Sequence, residues 1–392
     1  MIYKGNKMKN HKRDFLKKAA LAGIGTASLG ACTHYLPTGS TANFYINHPK
    51  LPKVMVSKKR IIKETVGLRP FRQSGPRVAL QELGNKTIAH NYGHGGSGWS
   101  LSWGTAMLAA ELIEKTHPKT IAVIGCGISG LSTARTLQNK GYHVTIYTKD
   151  VYPNVTSALA TGTWSPTSRL LNPDRLTPAF AAMFQKACQY SYDAFQRLLG
   201  IQHMVDWMES YSIRQEKPST DSYNHYSLHD KLFTSDMDFY PSSTLLNRRE
   251  NPFKRSTVYR SPTTIFNIPV YMKMLRDDFL LAGGKIEIKT FNRLEDIDNL
   301  PQQHIANCTG LGSLELFGDE ELMPISGQLA FLVPQPELRY RASMGGVYFI
   351  PRQDGVMLGG NGINNNWDTT PDATVTDMYL EGVQEMMRRL RS

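Results

Sequence analysis

The chain is poor in cysteine: 392 residues hold only Cys32, Cys126, Cys188 and Cys308. Four thiols do not make the disulfide framework that staples a small secreted fold. Zinc-type Cys/His spacing is missing as well. His90 and His94 stand four apart, but among glycines rather than on a helix, so no metal site is expected. The weakly apolar stretch Ala19–Ala31 is broken by Gly23, Gly25 and Gly30. It falls short of the about 20 apolar residues that span a bilayer as a helix. There is no internal repeat and no low-complexity tract, which excludes solenoids and arrays. No basic patch or nucleic-acid-binding module stands behind the net charge of +12, half of which comes from residues 1–31 with seven Lys/Arg against one Asp. Nucleic acid is therefore not an expected partner.

What is present suits a two-domain globular protein of ordinary composition, 41% hydrophobic and 20% charged. The first 31 residues read as an export signal and are set apart from the fold. His11-Lys-Arg-Asp-Phe-Leu-Lys17 is similar to a twin-arginine motif with Lys12 in the first arginine's place, and Leu29-Gly-Ala-Cys32 looks like a lipobox. Together they predict export to a bacterial cell envelope and a membrane anchor through lipid on Cys32. The alternative is cleavage at an Ala-x-Ala-like site with Cys32 incidental. Residues 32–59, with Pro37, Pro49 and Pro52, read as a tether.

From Arg60 onward the chain is dense in strands and glycine turns. Thr105–Lys115 has helical spacing of Met107, Leu108 and Leu112. Thr120–Ile124 is a buried-strand run, Leu131–Lys140 a helix ended by Gly141, and His143–Tyr147 a second strand. This strand, glycine loop, helix and strand make a parallel-sheet module. Residues 175–217 read as helices with polar breaks, and Ser219–Lys254 as loops suited to an active-site lid. Strands are expected at 285–290, 305–310, 326–333 and 347–359, and helices at 270–282 and 372–390.

Within the module, Gly125-Cys-Gly-Ile128-Ser129-Gly130 has the dinucleotide spacing, with Asp150 about 20 residues on. Gly125 permits the turn, Gly127 lets backbone approach a pyrophosphate, and Gly130 lets helix and strand pack closely. The helix N-terminus faces the phosphates. Asp150 is placed to accept from the adenosine ribose, which disfavours a 2′-phosphate. Upstream, Ile88-Ala-His-Asn-Tyr-Gly-His-Gly-Gly-Ser-Gly-Trp99 gathers Gly93, Gly95, Gly96 and Gly98. Such a loop lets backbone N–H groups converge on a ligand without side-chain obstruction.

These motifs resemble those of the D-amino-acid oxidase family, over about residues 60–392, with residues 175–255 matching poorly. In that family the Gly-His-Gly-Gly stretch closes the chain, whereas here it precedes the dinucleotide motif; the order implies a circular permutation. The resemblance implies an α/β fold with a Rossmann-type FAD-binding domain (about 76–172 and 285–325). It also implies an α+β substrate domain with a mixed or antiparallel sheet (about 60–75, 173–284 and 326–392).

By the same likeness, residues 155–166 run from pyrophosphate to isoalloxazine. Thr156 and Ser157 would bond phosphate or ribityl oxygens, and Gly162, Thr163 and Trp164 would lie against the ring, unless Trp164 is core packing. Phe291 falls near adenine, and Thr309 and Gly310 touch the FAD from the other side. Gly95, Gly96, Ser97, Gly98, Trp99 and Ser100 would cover the flavin, the helix beginning near Ser100 aiming its positive end at the reduced ring. Gly67-Leu-Arg69-Pro70 is similar to the family's substrate motif, so Arg69 would fork onto an amino acid's α-carboxylate. Tyr259 is a candidate second contact, and Gly96 lies beside the reacting centre. The resemblance implies FAD-dependent oxidative deamination of an amino acid, foremost a D-amino acid, with oxygen as acceptor. Alternatives are a dehydrogenase feeding a membrane electron carrier and a non-enzymatic ligand-binding lipoprotein.

Overall fold

Alternation of buried apolar residues builds the two sheets of the structure. The computed structural model describes residues 49–214, 228, 231–233 and 239–391. The expected export signal, Cys32 and most of the tether lie outside the described residues, as does much of the expected lid. Among the described residues the strands are β1 (Ile61–Arg72), β2 (Arg77–Leu83), β3 (Lys86–Tyr92), β4 (Thr120–Ile124), β5 (His143–Thr148), β6 (Val205–Arg214), β7 (Thr244–Leu245) and β8 (Thr257–Phe266). They continue as β9 (Lys285–Ile288), β10 (His304–Asn307), β11 (Leu322–Leu332), β12 (Tyr340–Met344), β13 (Val347–Arg352), β14 (Gly355–Gly359) and β15 (Ile363–Asn364).

One sheet has the order β2-β3-β10-β4-β5-β9, with β3, β10, β4, β5 and β9 parallel and β2 antiparallel at the edge. Its period of two is visible in the core. Ala89, Ile121, Val123 and Ala306 face one way, against α1 (Gly98–Glu114), α2 (Ile128–Asn139) and the helix Ile268–Leu281. Ile88, Ala122, Ile124 and Ile305 face the other, against Ile297 and Leu316. Sheets covered on both faces need such continuously apolar strands.

The second sheet runs β1-β11-β14-β13-β12-β6-β8-β7, with β15 also on β11. The pairs β1–β11, β11–β14, β13–β14 and β6–β8 are antiparallel, and β6–β12 is parallel. One face buries Ala330, Phe349 and Leu358 under Tyr379, Val383 and Met386 of the last helix, Ala373–Arg389. The helices and strands of the parallel module stand within a few residues of expectation, and α1 starts earlier, at Gly98.

Three expectations are corrected. Residues 175–217 are not broken helices: α3 (Pro178–Gln196), capped by Thr177, is followed by the ten-residue strand β6. Charged and polar residues on both faces of β6 hide its period. Residues 347–359 form a hairpin of two strands, turning after Arg352. The described end of the expected tether is packed: Val54 is buried, Tyr340 Oη donates to Pro52 O at 2.8 Å, and Met55 N donates to Gln335 Oε1 at 2.7 Å.

Two buried histidines tie this frame together. His90 accepts from Asn307 Nδ2 on Nδ1 (3.0 Å) and faces Gln81 Oε1 with Nε2 (2.9 Å), joining β2, β3 and β10. Burial, then the Arg77 charge, lowers its pKa to about 3; burial alone lowers that of His94 to about 4. Both stay neutral in the fold, while the unfolded imidazole takes a proton near pH 6.5. Stability is thus fully present above that pH and lost as pH falls toward 4, by about 2 kcal/mol per histidine at pH 5. A thermal-denaturation series should show Tm falling between pH 7 and 5, with a shallower slope in His94→Gln. An unchanged slope in both His90→Gln and His94→Gln would assign the acid sensitivity to other groups.

Candidate active site

The carboxyl ends of the parallel strands open into a cavity of 1380 Å³ that continues onto the second sheet. Small-molecule sites usually enclose about 300–1,000 Å³, so this one has room for a dinucleotide with a second ligand. At one end Lys149, Asp150, Lys289 and Phe291 line it, with Lys289 Nζ 5.2 Å from the Phe291 ring centre. Next comes the turn from β4 into α2. Gly125 has φ +104, and a Cβ there would stand 2.6 Å from Cys308 O; a Cβ on Gly130 would stand 2.0 Å from Gly125 O. Neither position therefore admits a side chain, and α2 presents its first turn to the cavity, as a pyrophosphate requires. Gly130 itself is a packing residue and does not line the cavity.

Thr156 and Ser157 line the middle. Ser157 Oγ accepts from Ile128 N at 2.9 Å, and Ser157 O accepts from Trp99 Nε1 at 3.0 Å, so this segment joins both helix N-termini. Thr309 and Gly310 stand across, with Thr309 Oγ1 donating to Asn307 Oδ1 at 2.9 Å. The loop Gly93–Gly98 then enters α1. Gly95 N donates to Pro70 O at 2.7 Å, which brings Arg69 of β1 to the same end.

Arg69 is the best-defined residue of that end. Its guanidinium lies across Gly327, where a Cβ would come within 1.9 Å of Nη1. Nη1 is buried with no hydrogen-bond partner. A buried guanidinium N–H left unpaired is costly, and an anionic ligand in the cavity would relieve it.

Of the residues singled out from sequence, Arg69, Gly95, Gly96, Gly98, Trp99, Gly125, Gly127, Ile128, Ser129, Asp150, Thr156, Ser157, Thr163, Phe291, Thr309 and Gly310 line the cavity. Five do not. Trp164 is turned into an aromatic core, stacked on Tyr240 at 6.0 Å and edge-on to Tyr192 and Phe195. Gly162 is a turn (φ +76) whose carbonyl accepts from Phe266 N. Ser97 Oγ donates to Ser168 O at 2.9 Å, and Ser100 Oγ accepts from Ser165 N at 2.8 Å; both brace the loop from behind. Tyr259 lies in β8 with the Arg214 guanidinium 5.4 Å from its ring centre, and it is not a lining residue of the cavity. Sequence reasoning missed Gly327, Tyr348, Arg169 and Gly362, all of which line it. A strand's period of two marks Tyr348 as sharing a face with Ile350, but not which face meets a ligand.

The family model described as FAD dependent oxidoreductase (DAO) matches residues 120–392. The chain belongs to this family. FAD is its cofactor, and the glycine turn, the size of the cavity and the chemistry of its two ends fit that group. A D-amino acid oxidase of Dugesia ryukyuensis is 29% identical over 283 residues, covering 69% of this chain and 78% of its own. A D-amino-acid oxidase of Rubrobacter xylanophilus is 25% identical over 274 residues, covering 69% and 77%. The solved iminodiacetate oxidase of Chelativorans sp. BNC1 shares the fold, with TM-score 0.51 and 14% identity over 68% of this chain and 79% of its own.

Gly130→Ala tests the cofactor end. The added methyl would push α2 off the turn, and FAD affinity should fall tenfold or more, about 1.4 kcal/mol, measured as flavin retained per protein on dilution. Gly141→Ala, with φ +91 but open space, should lower Tm without that loss. Equal flavin retention in the two variants would remove Gly130 from the cofactor cradle.

Proposed function

We propose that the protein oxidatively deaminates an α-amino acid, of D configuration, to a 2-oxo acid and ammonia, with oxygen reduced to hydrogen peroxide. The observation that carries this reading is the unpaired, buried Nη1 of Arg69 at the flavin-loop end of the cavity. FAD, held by the glycine turn and the N-terminus of α2, would supply the hydride acceptor, with oxygen as the final oxidant. Arg69 binds the α-carboxylate and so fixes the rotation of the substrate about its Cα. The Gly93–Gly98 loop admits the reacting carbon close to backbone, since Gly95, Gly96 and Gly98 line the cavity without side chains. The N-terminus of α1 would favour the negative charge that an accepted hydride brings to the flavin. Among the described lining residues no carboxylate or histidine stands beside Arg69 to act as base except buried, neutral His94. An amine that arrives deprotonated needs none, and positioning carries the rate.

The same reading includes a circular permutation. Residues 60–119 lie outside the family match, yet they supply β1 to one sheet, β2 and β3 to the other, and α1 to the cavity. Only Lys115–Lys119 separate α1 from β4. The segment before β1 lies on the last helix: Val54 N is 3.1 Å from Met387 Sδ, and Lys58 Nζ is 3.1 Å from Asp377. Such proximity of ends is what permutation requires. A chain rearranged to begin at residue 117 and to carry residues 49–116 after 391 should fold, retain FAD and keep its turnover. A soluble but flavin-free product would reject the permutation.

Arg69→Ala should lower kcat/KM by two orders of magnitude or more, in line with the about 2–5 kcal/mol of a buried charge-assisted pair. FAD content should stay near normal. Lys at this position should restore activity only in part, because it keeps the charge and loses the fork. Benzoate should perturb the flavin spectrum of the wild type and not of the alanine variant. Full activity in Arg69→Ala, or loss of FAD together with activity, would overturn the assignment.

A further inference from the structure

The amino-acid end of the cavity carries more positive charge than one carboxylate needs. Arg69, Arg169, Arg214 and Arg341 line it, whereas Asp150, at the adenosine end, is the one carboxylate among the described lining residues. Two of these arginines are seated alike. As Arg69 lies across Gly327, so Arg169 lies across Gly362, where a Cβ would meet Nη2 at 2.4 Å and Cζ at 2.9 Å. Ile325 pairs with Asn364 and Ser326 with Ile363, and the next step in that register sets Gly327 opposite Gly362. Neighbouring strands stand about 4.8 Å apart, so the two glycine seats are near neighbours. Both bear on the same phenol: burial pushes that of Tyr379 up, while Asn361 N–H and the Arg69 and Arg169 charges draw it back.

Arg169 is built into the site rather than carried on a free loop. Its φ is +46, a conformation that side chains rarely adopt. Its carbonyl is pressed on the flavin-covering loop, where a Cβ on Gly95 would stand 1.8 Å from Arg169 O. Ser97 Oγ holds the preceding carbonyl, Ser168 O, at 2.9 Å. The same backbone contacts that shape the glycine loop therefore aim the second guanidinium. Two guanidiniums that both line the cavity offer one ligand two forked sets of donors, each shaped for a carboxylate.

We propose that Arg69 and Arg169 form a two-carboxylate clamp, Arg69 taking the α-carboxylate and Arg169 the side-chain carboxylate of an acidic amino acid of the aspartate or glutamate class. The proposal rests on the amino-acid oxidase reading above and narrows its substrate. Gly327 and Gly362 leave room for the two guanidiniums, since a Cβ at either position would collide with the arginine seated on it.

The test uses the full-length holoenzyme, with anaerobic flavin reduction by D-aspartate, D-glutamate, D-asparagine, D-glutamine and D-alanine. Acid and amide differ little in size, so their ratio reads the charge. Wild type should favour the acids over their amides by about a hundredfold in reduction rate over Kd, as expected where a buried charge meets its partner. In Arg169→Met that ratio should collapse to within about threefold of unity, and in Arg169→Lys it should be partly kept. Malonate should perturb the wild-type flavin spectrum at lower concentration than acetate, and the advantage should vanish in Arg169→Met. Wild type reduced by neutral amino acids, with the acids inert, overturns this proposal alone. So does an equal loss on acids and amides in Arg169→Met, which would place Arg169 on the α-carboxylate. Reduction by none of the five overturns the oxidase reading with it. The wild-type ratio stands as a test even where a variant fails to retain FAD.

Discussion

The backbone contact at Gly95 is the constraint on which the site depends. Its N–H donates to Pro70 O at 2.7 Å, and its Cα is so close to Arg169 that any Cβ would overlap the carbonyl oxygen. Three chain segments meet at that point: the strand that carries Arg69, the turn that carries Arg169, and the loop that opens α1. With φ +55, the position accepts glycine for its conformation as well as for its space. The loop thereby sets the spacing of the two arginines that line the cavity.

The ion cluster beside it fixes the same junction from the outside. Arg72 reaches Asp319 at 2.9 Å and Glu321 at 2.7 Å, and Tyr92 Oη donates to Asp319 Oδ2 at 2.7 Å. Asp319 follows the turn at Gly318, and Arg72 ends β1 while Tyr92 ends β3. One carboxylate therefore links a strand of each sheet. Its pKa is lowered, the Tyr92 hydroxyl and the Arg72 guanidinium outweighing the burial that would raise it. Arg352 does similar work on the other side, bonding Ala160 O and Thr161 O while paired with Asp354. In both clusters the charged groups find their partners within the protein.

The parallel module was legible because its signals are local. A five-residue apolar run, three glycines at fixed spacing and a helix that Gly141 ends specify β4, α2 and β5 with no help from distant residues. Arg69 was legible for a related reason, since Gly67-Leu-Arg-Pro sits in a short motif. The errors are all of another kind. Trp164 and Gly162 occupy a segment that does line the cavity, through Thr161, Thr163 and Ser165; only the packing of α3 and β8 decides which residues turn inward. Tyr259 was placed by register along β8, and register in an edge region is set by its partner β6, whose polar alternation hides it from the sequence. Arg169 has no local signature at all. Its position follows from Gly95 and Gly362, 74 residues before it and 193 after it.

This distribution has a physical logic that bears on permutation. A contact such as Gly95 with Arg169 needs the two backbones in place, not any order of synthesis, and no covalent link runs through the cavity. What the fold must conserve is the pairing of β1 with β11 and of β3 with β10, together with the entry of α1 toward the cavity. Each of these is satisfied by a segment that reaches its place from either end of the chain, because loop closure adds only slowly with length. The motif order is then free to change where ends are adjacent, while the site's geometry, fixed by glycines that no other residue can replace, is not.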